Sequence, residues 1–344
     1  MGYPCGMKRY LALPMGEASG IGPEIIIRAL TSGKDNWYGP VIVVGDRALF
    51  RRTSLDLHLP LPFTSYVTND EELGSEMVAG EDLIFYDIPC IDLESFSYAS
   101  PSANTGRAVC ETTLKAVSLI QNSYASALVT VPLDARALSA AGIETNRYES
   151  LVSRLVGSVR SMGMLDAGGV KIFSHSHYIP LRQALDLVTP EAILDTIIRV
   201  DSLTQEQQVF NLDKPLAIAS VNPHYSDSLG WDREEREVLI PSVEKARSIG
   251  IDIVGPVSGD VLMHRAARGD YRAVIALFYD QAHIAAMSLD YDRTVTIDWG
   301  WPFLAVRVDR SARMEQAGRG VARAETLIQA LSVARDYITK GVVS

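Results

Sequence analysis

In four places, a short apolar run in this chain ends in residues able to transfer protons or bind a metal. Leu216–Val221 runs into Asn222-Pro223-His224, and Val170–Ser174 into His175-Ser176-His177. Ala273–Leu277 runs into Phe278-Tyr279-Asp280-Gln281-Ala282-His283, and Ala125–Val131 into Pro132-Leu133-Asp134. Four of the six histidines fall in these segments. Imidazole, carboxylate and phenol are the groups that general acid/base chemistry uses, and imidazole and carboxylate also bind divalent metals. In open α/β sheets, ligands bind outside the carboxyl ends of the strands. The four ends are therefore expected to line a cleft. Polar capping of strand ends would explain any one of them, but it explains four together less well.

The elements that must position these residues alternate between β-rich runs and helical stretches, the pattern of an α/β fold with a largely parallel sheet. Val41–Asp46 and Leu83–Tyr86 are expected strands. Residues 104–121 are an expected helix, with Val109, Leu114, Val117, Leu119 and Ile120 at three- and four-residue spacings. Thr189-Pro190-Glu191 suits a helix start, with Thr189 as N-cap and Pro190 in the first turn. Asp232-Arg233-Glu234-Glu235 opens another helix toward Gly250, and a last one spans about Val321 to Lys340. Two interleaved lobes are expected: residues 1–139 with 296–344, and residues 140–295, which carry most of the cleft residues.

The composition is 47% hydrophobic and 22% charged over 344 residues, as in an ordinary globular protein. A net charge of -10 excludes a general binder of nucleic acid or anionic membrane, which needs a basic face. It leaves room for an acidic small molecule held by a few arginines. No apolar run approaches the ~20 residues of a membrane span. The first residues, Met1 to Arg9, lack a signal-peptide core, and Cys5, Cys90 and Cys110 have no metal-type spacing. A cytoplasmic location is expected.

Several segments, taken in order, resemble the 4-hydroxythreonine-4-phosphate dehydrogenases. These are Gly16-Glu17-Ala18-Ser19-Gly20-Ile21-Gly22-Pro23-Glu24, Asn222-Pro223-His224, Arg233-Glu234-Glu235, Gly255-Pro256, Asp260, Asp280-Gln281 and Ala317-Gly318-Arg319-Gly320. The resemblance implies a two-lobed α/β/α fold like that of isopropylmalate dehydrogenase, a homodimer, and oxidation of a secondary alcohol by NAD or NADP. It also implies a zinc-like divalent metal, and in some members loss of CO₂ after oxidation. One branch of the family oxidises cis-dihydrodiols of aromatic dicarboxylates such as terephthalate.

The chain departs from the family's pattern at the metal. Of the family's three metal histidines, His224 is retained. A second position falls on Tyr178, with His177 one residue away, so a one-residue bulge would bring His177 into place. The third is Tyr279, a phenol whose pKa of about 10 makes it a poor ligand. His283 could substitute only if its segment turned helical. A complete site, a modified site and no catalytic metal all remain open. Tyr279, Asp280 and His224 are the expected catalytic residues, with His177 and His224 the candidate metal ligands.

The substrate grip differs as well. Arg147-Tyr148 stands where the family has His-Thr, and Met287, Thr296 and Ala305 replace a lysine, an asparagine and an arginine. A phosphate dianion needs several charge-assisted donors, so a non-phosphorylated, carboxylated substrate is expected. Arg147, Tyr148 and Arg182 are the candidate substrate contacts. Arg293, Arg307, Arg310 and Arg313 are further arginines able to clamp a carboxylate.

Arg310, Glu315, Gly318 and Gly320 are the candidate cofactor contacts, although Ser311 replaces a family glycine. The helix start Gly22-Pro23-Glu24 could face an anion, and Asp260 could orient a ligand. His58 and His264 carry no motif. The leading expectation is an NAD(P)-dependent dehydrogenase on a carboxylated hydroxy acid or cis-dihydrodiol. An isomerase or lyase on the same scaffold, or a non-catalytic binding protein, are the alternatives.

Overall fold

The computed structural model describes residues 8–32, 38–145, 147–157, 161–223, 232–308 and 310–342. They form two compact units: the described residues up to Ser161 with Val295–Thr339 (unit 1), and Met162–Thr294 with Lys340–Val342 (unit 2). Unit 1 begins with β1 (Tyr10–Pro14), α1 (Gly22–Ser32), β2 (Val41–Gly45), α2 (Arg47–Leu57), β3 (Ser65–Val67) and α3 (Asp70–Ala79). It continues with β4 (Leu83–Asp87), α4 (Ala103–Gln121), β5 (Ala125–Thr130), α5 (Ala135–Ala140) and α6 (Tyr148–Val156). Unit 2 opens with β6 (Met162–Ala167), β7 (Val170–Ser174), α7 (Leu181–Asp186), α8 (Pro190–Glu206) and β8 (Leu216–Ala219). A π-helical turn (Glu235–Leu239), α9 (Ile240–Ser248), β9 (Ile253–Val257), α10 (Gly259–Ala267), β10 (Ala273–Ala276) and α11 (Tyr279–Leu289) complete it. The chain then returns to unit 1 as β11 (Val295–Trp299), β12 (Leu304–Arg307) and α12 (Glu325–Thr339).

The expected α/β class is the one observed. In unit 1 the strand order is β3-β4-β2-β1-β5-β12-β11, parallel except for the last pair. In unit 2 it is β6-β7-β10-β8-β9, parallel except for the β6–β7 hairpin, which turns through Gly168-Gly169. Strands β1, β2, β5, β8 and β10 are buried along their whole length. That is the state of parallel strands covered on both faces, and it explains their continuous apolar runs. In unit 1, Tyr10, Ala12, Ile42 and Val44 pack with Ala116, Val117 and Leu119 of α4, while α12 lies against β5 and β12.

Helix starts follow their local chemistry. Ser102 and Thr105 form a reciprocal capping box at α4, and Thr189 accepts a hydrogen bond from Ala192 N with Pro190 in the first turn of α8. The stretch from Arg233 is helical, but its 235–239 segment widens into the π-helical turn. The last helix starts at Glu325 rather than Val321. Residues 147–157, placed with the second lobe from sequence, cluster with unit 1 because Tyr148 and Leu151 pack on Val109 and Leu138. No helix among the described residues is long and apolar enough to cross a membrane.

One buried charge ties unit 2 together. The Arg272 side chain is 1% exposed and bonds Asp201 and Thr204 Oγ1 of α8, the Lys214 carbonyl and the Asp252 carbonyl. It thereby fixes α8 to the entrances of β8, β9 and β10. An Arg272→Met substitution should destabilise unit 2 by about 3–5 kcal/mol, since it strands the Asp201 carboxylate. Urea unfolding of the variant against the parent measures this.

Candidate functional site

In unit 2, strands β7, β10 and β8 are parallel neighbours. The segments His175–His177, Phe278–His283 and Asn222-Pro223 therefore leave the sheet side by side at one edge. Side-chain hydrogen bonds join these ends into a chain. Ser176 Oγ donates to the Leu277 carbonyl at 3.0 Å, and Leu277 N donates to Gln281 Oε1 at 2.8 Å. Gln281 Nε2 donates to the Ser220 carbonyl at 3.0 Å, and Ser220 Oγ to the Asn222 carbonyl at 3.1 Å. Val221 N and Asn222 N then donate to Glu235 Oε1 at 2.7 and 2.8 Å. Gln281 and Glu235 stand in segments that carry the family resemblance but had no role assigned from sequence, and neither had Ser176 or Ser220. A Gln one turn into a helix that follows a strand end is the one local signal that pointed to such a bracket. His224 lies outside the described residues.

The histidines divide by surroundings. His175 is structural: Nδ1 meets Thr196 Oγ1 at 2.8 Å and Nε2 meets the Leu187 carbonyl at 3.0 Å. His177 is half-buried. The bulge expected to re-aim it is not in β7, which pairs in unbroken register with both neighbours. The irregularity comes later, at Tyr178, which takes a left-handed φ of 51°. That conformation is uncommon for a bulky side chain, and such residues gather at functional sites.

The segment after β10 is helical, so Tyr279 and His283 lie one turn apart on α11 with their rings stacked at 3.8 Å. Tyr178 packs against Tyr279 at 4.7 Å. Position 279 is thus part of an aromatic stack, and among the described residues no three His, Cys, Asp or Glu side chains are grouped to hold a metal ion. The described donor set does not fit the metal that the resemblance implies. Asp280 is exposed in the first turn of α11 and Asp260 in that of α10. His58 and His264 are exposed, and Arg182 is exposed on α7.

The fourth strand end, after β5, belongs to unit 1. There Glu17 N donates to the Pro132 carbonyl at 3.0 Å. The Glu17 carboxyl is wholly buried; its Oε1 accepts from Ser19 N at 3.0 Å and Ser19 Oγ at 2.7 Å, while Oε2 has no hydrogen-bond partner. Burial raises its pKa above the usual carboxylate range, and the bonds from Ser19 only partly oppose this. Asp134 caps α5 and pairs with Arg136 at 2.8 Å, and that bond holds its pKa down. Arg147 is half-buried at the N-cap of α6. Tyr148, expected to touch substrate, is instead a core residue packed on Val109, Leu138 and Leu151, and burial raises its phenol pKa.

The arginines also sort by environment. Arg307 is buried and bidentate to Asp298, at 2.7 and 3.2 Å across β11 and β12, so it is committed to the sheet and not to a ligand. Arg293 is exposed, while Arg310 and Arg313 are half-buried, Arg313 with a φ of 43°. Thr296 and Ala305 are buried in these same strands, and Met287 is half-buried on α11.

The Gly20–Glu24 segment packs on the turn that holds the candidate cofactor residues. Ile21 N donates to the Ala312 carbonyl at 3.1 Å, Glu24 Oε1 accepts from Ala322 N at 3.0 Å, and Arg28 bonds the Gly320 carbonyl at 2.6 Å. Gly20 and Gly22 have an internal reason: a Cβ on either would lie 2.7 Å from the Ala312 oxygen or 2.4 Å from the Met15 oxygen. Gly318 likewise has a φ of 72°, and its Cβ would strike the Tyr98 ring at 2.6 Å. Glu315 is exposed on that turn.

A family model described as "Pyridoxal phosphate biosynthetic protein PdxA" matches residues 36–334. A Clostridium botulinum protein named "Putative D-threonate 4-phosphate dehydrogenase" is 28% identical over 333 residues, 97% of this chain and 98% of its own. The solved 4-hydroxythreonine-4-phosphate dehydrogenase from Klebsiella pneumoniae aligns with a TM-score of 0.81 at 27% identity, covering 96% of this chain and 98% of that one. A terephthalate 1,2-cis-dihydrodiol dehydrogenase from Burkholderia xenovorans shares the fold, with a TM-score of 0.59 at 20% identity over 98% and 99% of the two chains.

The buried carboxyl sets a pH dependence. A raised pKa in the folded state means that Glu17 favours folding most below its unfolded value of about 4.3. That contribution is lost as pH rises through the folded value. Glu17→Gln should therefore gain stability relative to the parent as pH rises from 4 to 8, measured as the difference in urea midpoints. A difference that does not change with pH contradicts the raised pKa.

Proposed function

The chain belongs to the PdxA family of pyridoxal phosphate biosynthetic proteins, and from that premise we propose that it oxidises a secondary alcohol on a carboxylated, non-phosphorylated substrate with NAD or NADP. Its relatives are named dehydrogenases, and the chain is an oxidoreductase of CH–OH donors. The substrate assignment rests on one observation: Met287, Thr296 and Ala305 offer no cationic group where a phosphate grip is expected. Arg147 is the guanidinium proposed to hold the carboxylate, since Arg307 is taken by Asp298.

Arg310, Glu315, Gly318 and Gly320 are the residues proposed to hold the cofactor, which when bound would supply the hydride acceptor. The chain's own groups handle the proton. As hydride leaves the carbinol carbon, charge grows on the oxygen and its proton must depart. Tyr279 and Asp280 head α11, where the positive end of the helix dipole favours that charge. Tyr279 is the proposed hydroxyl donor to the alkoxide, and Asp280 the proposed acceptor of the released proton. No step is routed through a metal. Where the product is a β-keto acid, loss of CO₂ follows.

A second reading, a phosphorylated hydroxy acid, draws on the substrate in the D-threonate 4-phosphate relative's name. Matched pairs of phosphorylated and unphosphorylated hydroxy acids, assayed for NADH and NADPH formation, separate the two. The first reading expects kcat/KM on 4-hydroxythreonine 4-phosphate to stay below about 10⁴ M⁻¹s⁻¹.

A homodimer is also proposed. Leu181 and Leu185 of α7 and Ile284 and Leu289 of α11 are exposed apolar side chains on unit 2, and such surface suits a partner. A stable monomer in sedimentation at micromolar concentration overturns this.

Tyr279→Phe keeps the ring stacked on His283 and removes only the oxygen. It should lower kcat by about 10²–10³-fold with an unchanged melting temperature, read from steady-state kinetics and thermal unfolding. Full activity in the variant removes Tyr279 from the mechanism.

A further inference from the structure

We infer that Glu235 is a positioning residue for the strand-end loop Val221-Asn222-Pro223, the segment that leads directly into His224; the catalytic part of this inference rests on the function proposed above. The Glu235 side chain is wholly buried and uses both carboxylate oxygens on that loop. Oε1 accepts from Val221 N at 2.7 Å and Asn222 N at 2.8 Å, and Oε2 accepts from Asn222 Nδ2 at 2.8 Å. Glu234 Oε2 accepts from the same amide at 2.8 Å, so the Asn222 side chain is held from two sides.

Burying a carboxylate is costly unless hydrogen bonds compensate for the lost water. Here three N–H donors do so, and all three belong to Val221 and Asn222. A neutral side chain could have tied this loop down at lower cost. What the carboxylate adds is a rigid fork that sets two consecutive backbone amides and one side-chain amide in a single orientation.

Two backbone irregularities meet at the same place. Glu235 is the first residue of the π-helical turn, and such turns insert a residue and recur at functional sites. The register of β8 on β9 shifts between Ala217 and Ala219, just before the loop. Both redirect the chain locally, and Glu235 bridges them. On the other side, Gln281 holds the Ser220 carbonyl. The loop is thus fixed relative to the end of β10, where α11 brings Tyr279 and Asp280.

The test uses Glu235→Ala and Glu235→Gln in the full chain, read by amide hydrogen exchange and by steady-state kinetics. In Glu235→Ala, exchange at Val221 and Asn222 should quicken at least about 10-fold as their charge-assisted bonds are lost. The kcat should fall about 10- to 100-fold, the scale for residues that orient a reacting group, with KM changed far less. Glu235→Gln keeps one oxygen that can accept from both backbone amides, so it should recover most of the protection and most of the rate. If Glu235→Ala fails to fold, the Gln variant carries the test through its smaller losses in the same two readouts. Unchanged exchange at these amides overturns the inference, as does quickened exchange with an unaltered kcat. If the parent shows no NAD-linked turnover on any substrate, the proposed function falls, and the exchange result alone decides whether Glu235 holds the loop.

Discussion

A parallel sheet covered on both faces has no room for unpaired polar groups along its strands, so chemistry is forced to the strand ends. In unit 2 the buried strands β10 and β8 and the largely buried β7 lie side by side. Their last backbone groups are open at one edge, and each must find a partner. Ser176, Gln281, Ser220 and Glu235 supply those partners as one hydrogen-bonded chain. The residues proposed for the reaction stand on segments that this chain holds in place. Backbone satisfaction and site geometry are therefore met by the same bonds.

Against that rigid edge, the aromatic group of Tyr178, Tyr279 and His283 is an unusual feature. The Tyr279 and His283 rings stack, and Tyr178, in a left-handed backbone conformation, packs against them at a tilt. Histidine at position 279 would offer a ring nitrogen to a metal, whereas tyrosine offers a hydroxyl beyond the ring. Stacking fixes the direction of that hydroxyl by packing rather than by coordination. Tyrosine at 279 therefore places an ordered hydroxyl where the family resemblance implies a metal-binding imidazole.

Unit 1 shows how a glycine motif can have internal packing reasons of its own. Gly20 and Gly22 allow backbone to meet backbone at Ala312 and Met15, and Gly318 admits the Tyr98 ring. Glu24 and Arg28 then bond to the segment at Gly320 and Ala322. The glycine signature near the N-terminus and the glycine turn near residue 318 are two halves of one packed joint. Their separation of nearly three hundred residues hid this from local inspection.

The sequence by itself determined the α/β alternation, most helix starts, and the four strand ends where polar residues gather. These follow from local chemistry: apolar runs, caps such as Thr189, and a residue period that any window of the chain displays. It also pointed to the family and to the departures at Tyr279, Met287, Thr296 and Ala305. It could not tell a surface arginine from the buried Arg272 or from Arg307 tied to Asp298. Nor could it foresee Tyr148 in the core or Glu235 beneath Asn222. A charged residue has the same local pattern wherever it sits. Its burial and its partner depend on contacts between distant segments, and only the tertiary structure makes those.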